Sequence, residues 1–288
     1  MNRVIVIGGN GQLGTDLVAR MSIEKERYNV ISLSHDDLEI CNHEETRQML
    51  SEIGPDVVIN TAAFHQVDEC EDRIEKAFEV NTYAVRELSL ICRDLDAVLV
   101  HISTDYVFGG GPLRNKPLTE GDLPFPINVY GSSKLAGEYF VRSTLSKHLI
   151  IRSSGLYGLS GSSGKGGNFI ETMLRLAAGG KPIHVVDDQK LSPTFTLDLA
   201  EKVIEFMDVK QYGLYHVTNS GNCSWYEFAR EIFHQTKQTP DLSPTTTDAF
   251  GAKANRPRYS VLGSNRISEA GVEPLRPWKE ALNSYLTY

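Results

Sequence analysis

The chain has 288 residues, 41% of them hydrophobic, and a formal net charge of −8 at pH 7. That length supports one large or two fused domains, and an acidic balance without a dense basic tract argues against nucleic acid or an anionic membrane as partner. No apolar stretch approaches the roughly 18 residues of a membrane helix, and Cys41, Cys70, Cys92 and Cys223 lack metal-like spacing, so a reduced, cytoplasmic protein with no metal site is expected.

The first element is the β-branched run Arg3 to Ile7, which reads as a strand buried on both faces. It leads into Gly8-Gly9-Asn10-Gly11-Gln12-Leu13-Gly14 and then helical periodicity from Thr15 to Met21. Glycines at 8, 11 and 14 permit a tight turn, a close backbone approach to a pyrophosphate and close helix-on-strand packing. Placed directly after the first strand, the turn is read as a dinucleotide-binding loop rather than a signal peptide.

Strands are then expected at Val30 to Leu33, Val57 to Asn60, Ala97 to Ile102 and Leu149 to Arg152. Helices are expected near Glu44 to Ile53, Ile74 to Asp94 and Ser132 to Thr144. This alternation implies a doubly wound parallel α/β sheet, the Rossmann arrangement, over residues 1–152, with ligands bound beyond the carboxyl ends of the strands. Residues 153–288 read as a smaller α/β substrate domain, some of whose segments return to the first. Its strands are expected at Ile183 to Val186 and Gly213 to Thr218, and its helices at Thr196 to Met207 and Trp225 to Gln235. The stretch Gly155 to Gly167 is rich in Gly and Ser, and reads either as a surface loop or as a lid over the substrate.

Tyr130 and Lys134 lie four residues apart in a predicted helix and therefore on one face. An ammonium beside a phenol favours its ionised form and suits the tyrosine to proton transfer. Thr104, following the Ala97 to Ile102 strand, would hold a substrate carbonyl against that phenol. His65 and His216 read as pocket-wall or core residues, and Asp187-Asp188 as a solvated acidic pair. Trp225, Phe228, Ala229 and Ile232 share one helical face and read as core.

Several blocks resemble the extended short-chain dehydrogenase/reductase superfamily. They are Gly8, Gly11 and Gly14, Asn60-Thr61-Ala62-Ala63, Asn81, Ser103-Thr104-Asp105-Tyr106-Val107-Phe108, and Asn128-Val129-Tyr130-Gly131 with Lys134-Leu135-Ala136-Gly137-Glu138. Within it, Asn168-Phe169, Asp188-Gln189 with Pro193-Thr194, Gly213-Leu214-Tyr215-His216, Ser224-Trp225-Tyr226 and Arg256-Pro257 with Ser260 and Leu262 resemble the dTDP-4-dehydrorhamnose reductase family from end to end.

That resemblance implies a catalytic set of Thr104, Tyr130 and Lys134. It implies cofactor contacts from Gly8, Asn10, Gly11, Gln12, Leu13, Gly14, Ser34, Glu39, Ile40, Ala62, Ala63 and Phe64, besides Tyr130 and Lys134. Substrate contacts would come from Thr104, Asp105, Tyr106, Asn168, Phe169 and Arg256, the last at a diphosphate. The implied cofactor is NADPH, with NADH also usable, because Ser34-His35 stand where an acid would grip the 2′-hydroxyl of NAD. The implied partners are a dTDP-4-keto-6-deoxy sugar and, for assembly, a second copy of the chain. Gly155 stands where the family commonly has Trp, which bears on the sugar contact. Related alternatives are another nucleotide-sugar reductase or epimerase, or a silent subunit resembling the regulatory β subunit of methionine adenosyltransferase.

Overall fold

The computed structural model describes residues 1–112, 114–160 and 167–288. Its central sheet holds six parallel strands, β1 (Asn2–Ile7), β2 (Tyr28–Leu33), β3 (Val57–Asn60), β4 (Val98–Thr104), β5 (His148–Ser153) and, from the C-terminal half, Gly213–His216. Their spatial order is β2-β1-β3-β4-β5 followed by that last strand. The continuous apolar runs arise because helices cover both faces: Val4, Ile5, Val6 and Ile7 are each 1% exposed or less.

On one face Leu13, Leu17 and Met21 of α1 (Gln12–Ile23) share a core with Leu199, Val203 and Phe206 of Thr196–Val209. On the other, Leu50 of α2 (His43–Ile53) packs with Val85, Leu88 and Ile91 of the helix Ala84–Asp94 and with Val141 of the helix Val129–Thr144. A separate core, with Tyr157, Ile170, Phe195, Phe228 and Trp278, lies under the C-terminal segments.

Several elements differ from the sequence expectation. A short helix α3 (Val67–Asp72) follows β3. The run expected as one helix from Ile74 is three pieces, α4 (Ile74–Phe78), a π-helical turn Glu79–Tyr83 and α5 (Ala84–Asp94). The turn carries Asn81 inward, where its amide nitrogen donates to the Phe64 carbonyl at 3.0 Å and to Ser133 Oγ at 3.0 Å, while its oxygen accepts the Phe64 N–H at 2.9 Å. One extra residue per turn thus ties the Ala62 to Phe64 segment to the helix of Tyr130. That helix, α6 (Val129–Thr144), begins three residues earlier than expected, because Asn128 caps it by accepting the Gly131 N–H at 2.7 Å. Of the Gly/Ser stretch, residues 161–166 lie outside the described residues, and so does that part of the lid reading. No helix among the described residues is long and apolar enough to cross a membrane.

Candidate functional site

A cleft of about 720 Å³ runs along the carboxyl ends of the strands, and every residue assigned above to cofactor or substrate lines it except Arg256. At one end lies the glycine turn. Gly8 has φ +78, and a Cβ on it would meet Thr61 Oγ1 at 2.6 Å; a Cβ on Gly14 would lie 2.2 Å from the Gly8 carbonyl. Side chains would fill this cradle, so the backbone there is bare, and α1 starts on it without a side-chain cap at Gly11. Unsatisfied first-turn N–H groups and the positive end of the helix dipole face the cleft, which fits a dinucleotide pyrophosphate.

Ser34, at the end of β2, lies farther along the same wall with Glu39 and Ile40. A carboxylate does reach it: Asp37 accepts both the Ser34 N–H, at 2.9 Å, and its hydroxyl, at 2.6 Å. Asp37 itself does not line the cleft, so Ser34 and His35 are the residues presented there. On the opposite wall Ala62, Ala63 and Phe64 are held by Asn60, which accepts the Ala62 N–H at 3.1 Å, and by Asn81.

Thr104, Tyr130 and Lys134 meet in the middle. The Thr104 side chain accepts the Tyr106 N–H at 3.1 Å and lies 3.2 Å from Asp105 Oδ1. The Tyr130 ring meets Tyr106 edge to face at 5.8 Å. Burial pushes the Tyr130 phenol above its usual pKa, against the lowering effect of nearby Thr104. Lys134 is 2% exposed, and burial brings it down to about 8. Its ammonium nitrogen donates to the Ile102 carbonyl at 2.6 Å. Lys134 thus shares the helix face of Tyr130 as the spacing requires, but its hydrogen bond goes to the strand.

The expected substrate residues divide. Phe169 lines the cleft, 4.7 Å between centroids from Trp225, and Tyr106 joins it. Asp105 is 4% exposed, and its Oδ2 accepts Ser154 Oγ at 2.8 Å and Ser260 Oγ at 2.5 Å. Burial pushes its pKa up to about 6. Asn168 is spent within the fold: its oxygen accepts the Glu171 N–H, and its nitrogen donates to the Gly158 carbonyl and to Tyr285 Oη. Arg256 pairs bidentately with Asp68, at 2.8 and 3.1 Å, away from the cleft lining, so its expected place at a diphosphate is corrected.

Trp225 packs against the core that buries Phe228, Ala229 and Ile232, as expected, and also lines the cleft. Gln189, Lys190, Pro257 and Ser260 complete that wall and were not singled out as site residues from sequence. His65 lines the cleft and His216 is fully buried. The Asp187-Asp188 pair is not simply solvated: Asp187 takes the Ser224 hydroxyl, and Asp188 takes the Thr247 N–H and hydroxyl.

The family model of the RmlD substrate binding domain matches residues 1–288. The chain is 42% identical to the spore coat polysaccharide biosynthesis protein SpsK of Bacillus subtilis, over 99% of this chain and 97% of that one. It is 37% identical to the dTDP-4-dehydrorhamnose reductase of Mycolicibacterium smegmatis, over 97% and 84%. Among solved structures, the dTDP-4-dehydrorhamnose reductase of Bacillus anthracis in complex with NADP superposes with a TM-score of 0.92 at 38% identity, covering 99% of both chains. A UDP-glucose 4-epimerase of Thermotoga maritima, 18% identical with a TM-score of 0.81, shares the fold. The chain belongs to the RmlD family.

Proposed function

We propose that the protein reduces the C4 ketone of dTDP-4-dehydrorhamnose to dTDP-L-rhamnose with NADPH, NADH being a second usable donor. The meeting of Thr104, Tyr130 and Lys134 in the one cleft that begins at the glycine cradle carries this reading, and family membership supports the substrate class. When bound, the nicotinamide supplies the hydride.

The chain's own residues do the rest. Gly8 to Gly14 and the first turn of α1 would take the pyrophosphate, and Ala62 to Phe64 would flank the inner half of the dinucleotide. Thr104 would orient the substrate carbonyl, and Tyr130 Oη would deliver a proton to its oxygen. Lys134 would hold the nicotinamide ribose and supply positive charge as the phenol loses its proton. Tyr106 and Phe169 would wall the sugar nucleotide, with Trp225 added to that surface. Asp105 would act through Thr104 rather than on the sugar. A boundary near residue 152 between dinucleotide and substrate domains belongs to the same reading, as does a dTDP-4-keto-6-deoxy sugar as partner.

The test is oxidation of NADPH, and of NADH alongside, with a panel of dTDP-4-keto sugars and products resolved by NMR. The reading expects turnover with the dTDP-4-dehydrorhamnose member and NADPH used at least as well as NADH. No turnover with any dTDP-4-keto sugar refutes the activity, and a hundredfold preference for NADH in kcat/KM refutes the cofactor assignment.

A further inference from the structure

Behind Lys134 lie two buried side chains that the reaction just described does not use. Asn60 on β3 and His101 on β4 are register partners in the sheet, and both are fully buried. The Asn60 amide is oriented unambiguously. Its oxygen accepts the Ala62 N–H at 3.1 Å, so the group 3.4 Å from His101 Nδ1 is the NH₂. An amide nitrogen donates and does not accept, and a neutral imidazole has one N–H and one acceptor. Burial, reinforced by Lys134, holds the imidazole pKa well below its usual value and keeps the ring neutral. Nδ1 is then the acceptor, and the single N–H is on Nε2. That nitrogen lies 3.5 Å from Lys134 Nζ.

An N–H aimed at an ammonium is a meeting of two donors, whereas the same N–H aimed at a neutral amine finds a lone pair. We propose that His101 is a positioning residue for Lys134: locked by Asn60 as the Nε2–H tautomer, it loosens the third proton of the Lys134 ammonium, which still carries the positive charge beside the phenol at neutral pH. Lys134 keeps one N–H on the Ile102 carbonyl in either form. Burial already lowers the Lys134 pKa, and the His101 N–H would act in the same sense. Other ionisable groups in this region are Tyr130 and Glu138 on α6, Arg152 on β5, Asp105 after β4 and Cys70 on α3. Among these, Glu138 acts on Lys134 in the opposite sense, and it is bound by Arg152 at 2.8 and 2.6 Å.

The isosteric change Asn60→Asp reverses the lock. A carboxylate there keeps an acceptor for the Ala62 N–H and offers the imidazole a second one, which pulls the proton to Nδ1 and turns Nε2 into an acceptor for the ammonium. Two spectroscopic measurements on the full chain need no cofactor: ¹⁵N shifts of His101 for its tautomer, and ¹³Cε-lysine titration, with the Lys134 signal assigned by its loss in Lys134→Ala. The wild type should show Nε2–H. Asn60→Asp should show Nδ1–H and a Lys134 titration raised by about one pH unit or more.

In the reductase assay, which rests on the proposed activity, the basic limb of kcat/KM should move up with it. A wild-type Nδ1–H tautomer overturns the proposal without recourse to any variant. So does a Lys134 titration that stays put in Asn60→Asp, or one that moves while His101 remains Nε2–H, since plain charge attraction would then explain it. Absence of turnover alongside the expected NMR changes would overturn the reductase reading and leave the His101 assignment standing.

Discussion

Replacing Tyr130 with Phe removes one oxygen and leaves the ring that meets Tyr106 edge to face. The fold should barely register the change. Thr104 keeps its bonds to Tyr106 N–H at 3.1 Å and Asp105 Oδ1 at 3.2 Å, so its hydroxyl is not orphaned. The stability cost is then at most the net worth of one hydrogen bond, about 1 kcal/mol. Chemistry should suffer far more, because Tyr130 Oη is the proton donor of the proposed reaction. Loss of a general acid is worth about 10²- to 10⁴-fold, or roughly 3 to 5 kcal/mol of barrier. Steady-state kinetics should show kcat falling by that factor, while NADPH affinity, measured by fluorescence titration, stays within about threefold of wild type. A variant that keeps more than about a tenth of wild-type kcat would mean the proton comes from elsewhere.

Gly14→Ala places a Cβ 2.2 Å from the Gly8 carbonyl and 2.8 Å from Gly9 Cα, so the loop must move; NADPH affinity should drop at least about tenfold, and unchanged affinity in a titration would remove the glycine turn from the cofactor site. Arg152→Met leaves Glu138, 1% exposed, with Ser103 as its remaining hydrogen-bond donor; a cost of about 3–5 kcal/mol should appear as a large fall in Tm, and Glu138→Gln added to it should recover part of that loss. For Asp105 the folded pKa is raised to about 6 by burial, so its contribution is fully present below about pH 4 and is lost as pH rises through about 6. Asp105→Asn should therefore flatten the stability profile between those values by on the order of 2–3 kcal/mol, and denaturant melts with parallel pH dependence in both proteins would refute a neutral buried Asp105.

The sheet was legible because parallel strands covered on both faces must be continuous apolar runs, and Val4 to Ile7 or Leu149 to Ile151 can be little else. The near wall of the cleft followed from it, since the glycine turn, Ala62-Ala63 and Thr104 all stand where strands end. The π-helical turn was not legible: Glu79 to Tyr83 would continue an α-helix on local preference, and only the tertiary bonds of Asn81 favour the extra residue. The far wall was hidden for a different reason. Gln189, Lys190, Trp225 and Ser260 come from separate segments whose meeting no local period encodes, and Trp225 keeps the spacing of its buried neighbours while turning to the cleft. Asn168 has a structural role that its family block does not reveal: it lines the cleft while its polar atoms cap a helix and tie it to Gly158 and Tyr285.

Burial along the central strands marks the functional end without any motif. The amino-terminal halves of β3, β4 and β5 present Val57, Val58, Leu99, Val100, Leu149 and Ile150 to the core. The carboxyl ends then bury Asn60, His101, Ser103, Thr104, Arg152 and Ser153, each 7% exposed or less. Apolar residues of similar volume would cost the sheet less at all six places, because each polar group loses water that hydrogen bonds at best offset, and Ser153 Oγ has no hydrogen-bond partner among the described residues. The groups are also joined: Arg152 holds Glu138, Ser103 donates to Glu138, and Lys134, one turn before Glu138 on α6, lies between the Ile102 carbonyl and His101. A network that opposes burial, confined to one end of three strands and converging on the lysine beside Tyr130, is the signature of a charge that the fold must hold in place for chemistry rather than for stability.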